Sequence, residues 1–255
     1  MKGLLSALYS ACVYLFFLGV FLYAIGFVEG VAVSKTIDSG SPGDPLTALL
    51  IDLGLLGLFA VQHSGMARPA FKRVWTRVVP TQVERSTYVL FASLVLSLLI
   101  WQWRPLPDLV WSLADSPVRE ILLAASWAGW AIVLLSTFLI SHFHLFGLSQ
   151  GLSRLIGRPE AAEPQFTTPL FYRWVRHPLY FGFILAFWAA PQMSVGHLLF
   201  AGTTTLWILL AIQLEERDLV AQFGALYVRY RESVGMLLPK LPRLRPSQPG
   251  PEAPR

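Results

Sequence analysis

Apolar residues lie along this chain in long uninterrupted stretches, which short polar segments separate. A helix that crosses the hydrocarbon core of a bilayer needs about 20 mostly apolar residues. Four stretches satisfy this requirement: residues 4–28, 47–62 with its ends extended, 86–103 and 121–144. The pattern therefore predicts an all-α integral membrane protein.

A fifth apolar stretch, residues 179–214, is too long for one crossing and is interrupted near its middle by PQMSVGH at 191–197. We expect two shorter helices that form a hairpin, which gives a bundle of five to six transmembrane helices. The first stretch follows Lys2 as a signal peptide would. It is too long for one and lacks a small-residue cleavage site before a soluble domain, so we expect a retained helix.

Basic residues are distributed unevenly between the two ends of the predicted bundle. Of the 20 Lys and Arg residues, 17 fall at Lys2, within 64–85 and 147–176, and from 215 onward. The opposite loops hold only Lys35, Arg104 and Arg119. Because cytoplasmic loops carry the excess of Lys and Arg, we expect both termini in the cytoplasm and the bundle in a bacterial inner membrane.

Composition supports a membrane protein and limits its partners. The chain is 55% hydrophobic and 14% charged, whereas soluble domains are about 25% charged. The net charge of +5 reflects topology and contact with the lipid bilayer, so we expect no nucleic-acid partner. The single cysteine, Cys12, can form no internal disulfide. We expect one domain over residues 1–240 and a disordered, Pro-rich cytoplasmic tail at 241–255.

Polar and aromatic motifs gather at the predicted cytoplasmic boundary, whereas glycine-rich nucleotide motifs such as GxGxxG are absent from the sequence. The segment RWVRHPLYFG at 173–182 precedes the hairpin, and EERDL at 215–219, continuing into FGALYVRYR at 223–231, follows it. These motifs could also contact lipid headgroups, with the carboxylates paired to Arg173, Arg176 or Arg217. Two further segments are HFHLFGLSQ at 142–150 and QHSGMARP at 62–69. The HxH pair has no further ligand at a recognisable spacing, so we expect no metal.

The order of these motifs resembles a known family. RHPxYxG, an apolar hairpin, EExxLxxxFGxxYxxY and Pro239 resemble the integral-membrane methyltransferases of the isoprenylcysteine carboxyl methyltransferase superfamily, over residues 167–239. The first half, with QHSGMARP at 62–69, ERSTY at 84–88 and WQWRP at 101–105, is similar to the NnrU-related branch. Within that branch the chain most resembles the enzymes that methylate methanethiol to dimethyl sulfide.

The resemblance implies S-adenosyl-L-methionine as cofactor, in a cytoplasmic pocket formed by about residues 142–239. Carried over position by position, it implies cofactor contacts at Gln150, Gln165, Phe166, Tyr172, His177, Pro178, Leu179, Tyr180 and Glu215. Relatives that act on prenylated cysteine have a substrate-binding Arg four residues before the Glu, where this chain has Ala211. This difference argues against a carboxylate substrate and favours a small thiol, methanethiol.

Physical chemistry makes the same roles reasonable. A sulfonium cation is stabilised by a carboxylate or by aromatic faces, which Glu215 and Tyr180 can supply. The thiolate is the reactive form of a thiol, so a base or a cationic group must assist. The candidates at the predicted cytoplasmic boundary are His142, His144, His63, Tyr88 and Arg68, and the sequence does not choose between them. The aromatic residues expected to line an apolar thiol cavity are Phe143, Phe146, Trp188 and Trp207.

Two other functions are compatible with the same segments. A membrane methyltransferase that acts on prenylated cysteine or on a lipid headgroup would share the cofactor residues and differ in the acceptor cavity. A non-catalytic transporter or assembly factor would need none of them. The sequence does not define the oligomeric state.

Overall fold

The computed structural model describes residues 2–153, 155, 157 and 166–240. Its elements in chain order are α1 (Lys2–Glu29), α2 (Pro45–Ala67), α3 (Pro69–Trp75), α4 (Thr81–Gln102), β1 (Leu109–Ser112), α5 (Val118–Ile140), α6 (His142–Leu145), α7 (Leu148–Ser153), a 3-10 turn (Leu170–Arg173), α8 (Pro178–Trp188), β2 (Gln192–Ser194), α9 (Val195–Phe223) and α10 (Ala225–Ser233). In this described part, α1, α2, α4, α5 and α9 are long and apolar enough to cross a membrane. The prediction of an all-α integral membrane protein is confirmed.

The long helices alternate in direction, so the bundle has two distinct ends. The site end holds the N-terminus, α3, α6, α7, α10 and the first turn of α8, and the far end holds the α1–α2 connection, β1 and β2. The last apolar stretch breaks where the sequence predicts, since α8 ends at Trp188 and α9 begins at Val195. Helix α9 then continues to Phe223, beyond the expected limit at 214, so Glu215 and Glu216 lie within a helix.

The far end contains a small antiparallel sheet that the sequence did not predict. Leu109 of β1 pairs with Ser194 of β2. The adjoining Leu113 N–H donates to the Pro191 carbonyl over 2.8 Å, and the Val195 N–H donates to the Asp108 carbonyl over 2.8 Å. The break between α8 and α9 releases backbone groups from helical pairing, and this sheet pairs them again, as a low-dielectric surrounding requires.

Helices α5 and α8 pack against each other through glycine. A Cβ built on Gly129 would lie 2.6 Å from the Gly182 carbonyl oxygen, and one built on Gly182 would lie 2.7 Å from the Gly129 carbonyl oxygen. The missing side chains let the two backbones approach, which is how helices associate where lipid is as apolar as the packing side chains. This contact fixes α8, whose first turn belongs to the site, against the bundle.

The segment that follows α10 fixes the start of α8 from the other side. The Arg176 N–H donates to the Gly235 carbonyl over 2.8 Å, and the His177 N–H donates to the Met236 carbonyl over 3.1 Å. These two bonds, with the pairing of Val175 and Gly235, hold the residues before α8 in an extended conformation. The predicted tail at 241–255 lies outside the described residues.

Candidate active site

The two adjacent carboxylates of α9 have different surroundings. One Glu216 oxygen accepts from Arg176 Nε over 2.7 Å and lies 3.1 Å from His177 Nε2, and the three side chains are between 5% and 8% exposed. The Glu215 side chain is 42% exposed and accepts a hydrogen bond from the Tyr180 hydroxyl over 3.0 Å. Consecutive residues of a helix point in different directions, so Glu216 is enclosed by internal partners while Glu215 remains open to a ligand.

Arg176 connects three parts of the site end. Besides Glu216, its guanidinium reaches two carbonyls of the C-terminal segment, with Nη1 2.5 Å from the Val234 oxygen and 3.1 Å from the Arg231 oxygen. The pairing of the carboxylates with Arg176, one of the alternatives that the sequence left open, is therefore found for Glu216. His177 occupies the position directly before α8, and its Nδ1 lies 4.0 Å from a carboxylate oxygen of Glu215.

Aromatic side chains form a wall beside the two carboxylates. Phe166 packs against Phe223, Tyr227 and Tyr230, with ring centroids 5.4, 5.9 and 5.2 Å away. The Tyr230 hydroxyl donates to the Tyr172 carbonyl over 2.5 Å. Burial raises the pKa of Tyr230 to about 12. Burial and the negative charge of Glu215 both raise the pKa of Tyr172. Both hydroxyls therefore remain protonated at neutral pH.

The structure places most of the predicted cofactor residues together. Around the first turn of α8 and the end of α9 lie Phe166, Tyr172, His177, Pro178, Leu179, Tyr180 and Glu215. Gln150 lies on α7, where its amide nitrogen donates to the His144 carbonyl over 3.0 Å. Gln165 lies outside the described residues. The contact of these residues with a cofactor stays a prediction.

Three of the five candidate bases lie on α2, directly after α2 and on α4, and they are His63, Arg68 and Tyr88. The Tyr88 hydroxyl lies 3.1 Å from His63 Nδ1 and 3.2 Å from His63 Nε2, and since one hydroxyl donates to one nitrogen at a time, the other ring nitrogen stays available. Arg68 forms an ion pair of 2.9 Å with Asp218 of α9. Asp218 follows Glu215 by three residues on α9, so this ion pair brings the end of α2 to the carboxylates of the site. The carboxylate side of the site, on α8 and α9, is thus joined to a His–Tyr pair on α2 and α4.

His142 and His144 are placed differently. His142 Nε2 lies 2.8 Å from the Tyr14 hydroxyl, and Nδ1 lies 2.8 Å from Thr137 Oγ1. With both ring nitrogens engaged, His142 links α1 to α5 and has no nitrogen left for a substrate proton. Burial lowers its pKa, which keeps the ring neutral. His144 is exposed at the surface of the bundle. Partial desolvation of its ring, together with the positive charges of Arg85 and Lys72, lowers its pKa as well.

The aromatic residues expected around a thiol cavity do not stay together. Trp188 is the last residue of α8 and lies at the far end, where its Nε1 donates to Thr205 Oγ1 over 2.9 Å. The prediction that Trp188 lines a thiol cavity at the site is therefore wrong. Phe143 is 48% exposed. Phe146 stacks on Phe17 at 4.1 Å and packs against the cluster around Tyr88. Of these three, Phe146 is the one beside the candidate bases.

The part of the chain that the structure describes contains no group of three or more His, Cys, Asp or Glu residues that could hold a metal ion. Several buried polar atoms on elements of the site end lack a hydrogen-bond partner among the described residues, and they include Tyr227 Oη, Gln150 Oε1, Gln62 Oε1 and Trp75 Nε1. Buried polar groups are normally satisfied, so such atoms are suited to the polar groups of a ligand.

Comparison with known proteins identifies close relatives. The chain is 54% identical to methanethiol S-methyltransferase 1 of Bradyrhizobium diazoefficiens, over 92% of this chain and 82% of the relative. It is 53% identical to methanethiol S-methyltransferase of Mycobacterium tuberculosis, over 94% of this chain and 98% of the relative. A more distant relative is nurim of Xenopus laevis, 26% identical over 82% of this chain. No family model matches the chain, and no solved structure matches it.

Proposed function

The chain belongs to the family of methanethiol S-methyltransferases, and we propose that it transfers a methyl group from S-adenosylmethionine to methanethiol and so forms dimethyl sulfide. The observation that carries this proposal is identity above 50% over most of the length of several enzymes with that name. The site around Glu215, Tyr180 and His63 is where we place the reaction.

The residues present at the site fit this cofactor. S-adenosylmethionine carries a sulfonium cation, an ammonium group and a carboxylate, and Glu215 is an accessible carboxylate beside the ring of Tyr180. Carboxylates and aromatic faces both stabilise cations. The buried Tyr227 hydroxyl without a partner among the described residues offers a further polar contact. When bound, the cofactor supplies an electrophilic methyl carbon.

We assign the cofactor contacts in two groups. Tyr172, Leu179, Tyr180 and Glu215 would face the cofactor, whereas His177 and Pro178 are buried and would hold the first turn of α8 in position. Gln150, Gln165 and Phe166 complete the set that the resemblance implies. Arg176 and Glu216 support this set as a buried ion pair.

His63 is the base that the geometry favours. A simple alkanethiol ionises above the ~8.5 of cysteine, so little thiolate exists at neutral pH without assistance. His142 has both ring nitrogens engaged, and Arg68 is paired with Asp218. His63 would accept the thiol proton on a ring nitrogen while the Tyr88 hydroxyl orients the ring. Glu215 and Tyr180 would hold the cofactor, which would supply the methyl group and leave as S-adenosylhomocysteine, and the site would contribute by placing the thiolate in line with that group.

We further propose that the site end faces the cytoplasm and that the membrane is the bacterial inner membrane. The support is the location of 17 of the 20 basic residues in segments that belong to that end or to the tail after it. A reporter that works only in the cytoplasm should be active when it is fused to the C-terminus. A reporter active on the outer side would contradict this orientation.

The test of the function is direct measurement of dimethyl sulfide by gas chromatography. Purified full-length protein receives S-adenosylmethionine and either methanethiol or a farnesylated cysteine analogue. We expect dimethyl sulfide from methanethiol and no methylation of the analogue. Methylation of the analogue, with no dimethyl sulfide, would overturn the proposal and favour the prenylcysteine alternative.

Variants separate the cofactor site from the base. We expect Glu215→Gln to lose affinity for S-adenosylmethionine in calorimetry without a thiol, whereas His63→Gln keeps that affinity and loses about 10²- to 10⁴-fold in kcat. The matched control is Gln213→Ala, an exposed residue two positions before Glu215 on the same helix. Full activity in His63→Gln would remove His63 as the base.

A further inference from the structure

A cavity extends from the middle of the bundle toward the end opposite the candidate site. It has a volume of about 660 Å³ and lies between α1 and α4, with lining residues that include Leu15, Gly19, Tyr23, Ser34, Lys35 and Trp101. We call it the far-end groove. Its volume is within the ~300–1,000 Å³ of ordinary ligand sites. None of the residues assigned above to catalysis or cofactor binding lines it, so the proposed function leaves it unexplained.

The groove runs along half the thickness of a membrane. From Leu15, near the middle of α1, to Tyr23 the helix rises about 12 Å at 1.5 Å per residue. One leaflet contributes about half of the ~30 Å hydrocarbon core. A Cβ built on Gly19, between these two residues, would meet no heavy atom within 4 Å, so the floor of the groove is open there. This shape suits a single acyl chain of one leaflet.

The far end of the groove is polar and basic. Lys35 Nζ donates to the Trp101 carbonyl over 2.5 Å and to the Trp103 carbonyl over 3.1 Å. Because an ammonium group has three donors, one remains for a ligand. The Tyr23 hydroxyl and Ser34 Oγ lie beside it, 3.2 Å from each other. These groups lie where the headgroup of a lipid in the groove would be.

A second basic residue follows the carbonyl that Lys35 contacts, since Arg104 is the next residue after Trp103. Arg104 is exposed, and the structure gives its guanidinium no ion pair among the described residues. Burial and the charge of Arg104 both lower the pKa of Lys35, and Asp52 offsets this only in part. An anion bound between the two side chains would compensate their repulsion.

We propose that the far-end groove binds one anionic phospholipid from the leaflet at the far end, with an acyl chain along Gly19 and the phosphate at Lys35 and Arg104. The apolar floor of the groove would contact the acyl chain, and the two cations would balance the negative charge of the headgroup. Lys35 and Arg104 are two of only three basic residues in the segments of that side. Of the two, Lys35 lines the groove, and its ammonium group contacts the carbonyl of Trp103, the residue directly before Arg104.

Native mass spectrometry of the full-length protein in detergent tests this. Delipidated protein receives phosphatidylglycerol or phosphatidylcholine with the same acyl chains. We expect one retained phosphatidylglycerol with at least tenfold preference over phosphatidylcholine. Gly19→Phe should abolish retention of both lipids. Gly54→Phe, at an exposed glycine of α2 whose Cβ also has open space, is the matched control and should retain phosphatidylglycerol as the wild type does.

Charge variants give an independent readout. Lys35→Gln and Arg104→Gln should each lower phosphatidylglycerol affinity about fivefold and leave phosphatidylcholine unchanged, while Lys35→Arg retains binding. Dimethyl sulfide formation by each variant checks that the bundle is intact. Equal retention of the two lipids by wild type, or undiminished phosphatidylglycerol binding in Gly19→Phe, would overturn the proposal.

Discussion

Exchange of either carboxylate in the Glu215–Glu216 pair for its amide should produce opposite phenotypes, although the two residues are neighbours in the chain. Glu216→Gln removes the countercharge of Arg176, whose side chain is 8% exposed. Glu215→Gln changes a side chain that is 42% exposed and keeps an acceptor for Tyr180. We expect the first variant to lose stability and the second to lose cofactor affinity.

The magnitudes follow from burial. Removing one partner of a buried ion pair costs about 3–5 kcal/mol. Arg176 keeps its bonds to the carbonyls of Val234 and Arg231, so the lower value of about 3 kcal/mol applies to Glu216→Gln. At about 2–4 °C per kcal/mol, Tm falls by about 10 °C. Glu215→Gln should change stability by less than about 0.5 kcal/mol but weaken cofactor binding about ten- to a hundredfold, as loss of a charged contact does.

The assay combines thermal unfolding of the detergent-solubilised protein with calorimetric titration of S-adenosylmethionine in the absence of a thiol. Both variants are measured below their Tm, so that affinity reports on folded protein. Arg176→Met, which removes the charge on the other side of the pair, should lower Tm as Glu216→Gln does. Equal Tm values for Glu215→Gln and Glu216→Gln would refute the division of roles between the two carboxylates.

Three further expectations concern the framework of the bundle. Burial lowers the pKa of His142 below that of the unfolded chain, so stability should fall as pH decreases through about 6.5, and His142→Gln should reduce this dependence in Tm measurements at several pH values. Gly182→Val should lower Tm strongly, because a Cβ there would lie 2.7 Å from the Gly129 carbonyl, and an unchanged Tm would contradict the close packing. Gly235→Ala should weaken S-adenosylhomocysteine binding, because its Cβ would lie 1.8 Å from the Leu238 carbonyl and displace the segment that holds the start of α8, and unchanged calorimetric affinity would count against that support.

The membrane helices were predictable because each is a local property of the sequence. Length and hydropathy place α1, α2, α4 and α5, and the residues of 191–197 place the break between α8 and α9. The sheet of β1 and β2 was not predictable, since its strands are too short to show an alternating pattern and it forms between distant segments.

The residues of the site were predictable where a local motif marks them. Motif order indicated Tyr180, His177 and Glu215, but the division between Glu215 and Glu216 depends on which carboxylate faces Arg176, a contact across 40 positions of the chain. The choice among the histidines likewise depended on a distant residue. Tyr14 occupies one nitrogen of His142 from 128 positions away, and no local pattern reports that contact.

The sheet at the far end has a consequence for the order in which the protein is made. The carbonyls of Asp108 and Leu106 accept the N–H groups of Val195 and Gly196, so the connection between α4 and α5 supplies partners to backbone that leaves the ribosome much later. A broken helical hairpin without these partners would leave buried backbone groups unpaired, which costs free energy for each group. Helices α8 and α9 can thus pack stably only after the earlier helices have been inserted. A chain truncated after α5 should integrate stably, whereas α8 and α9 expressed alone should be recognised as misfolded and degraded.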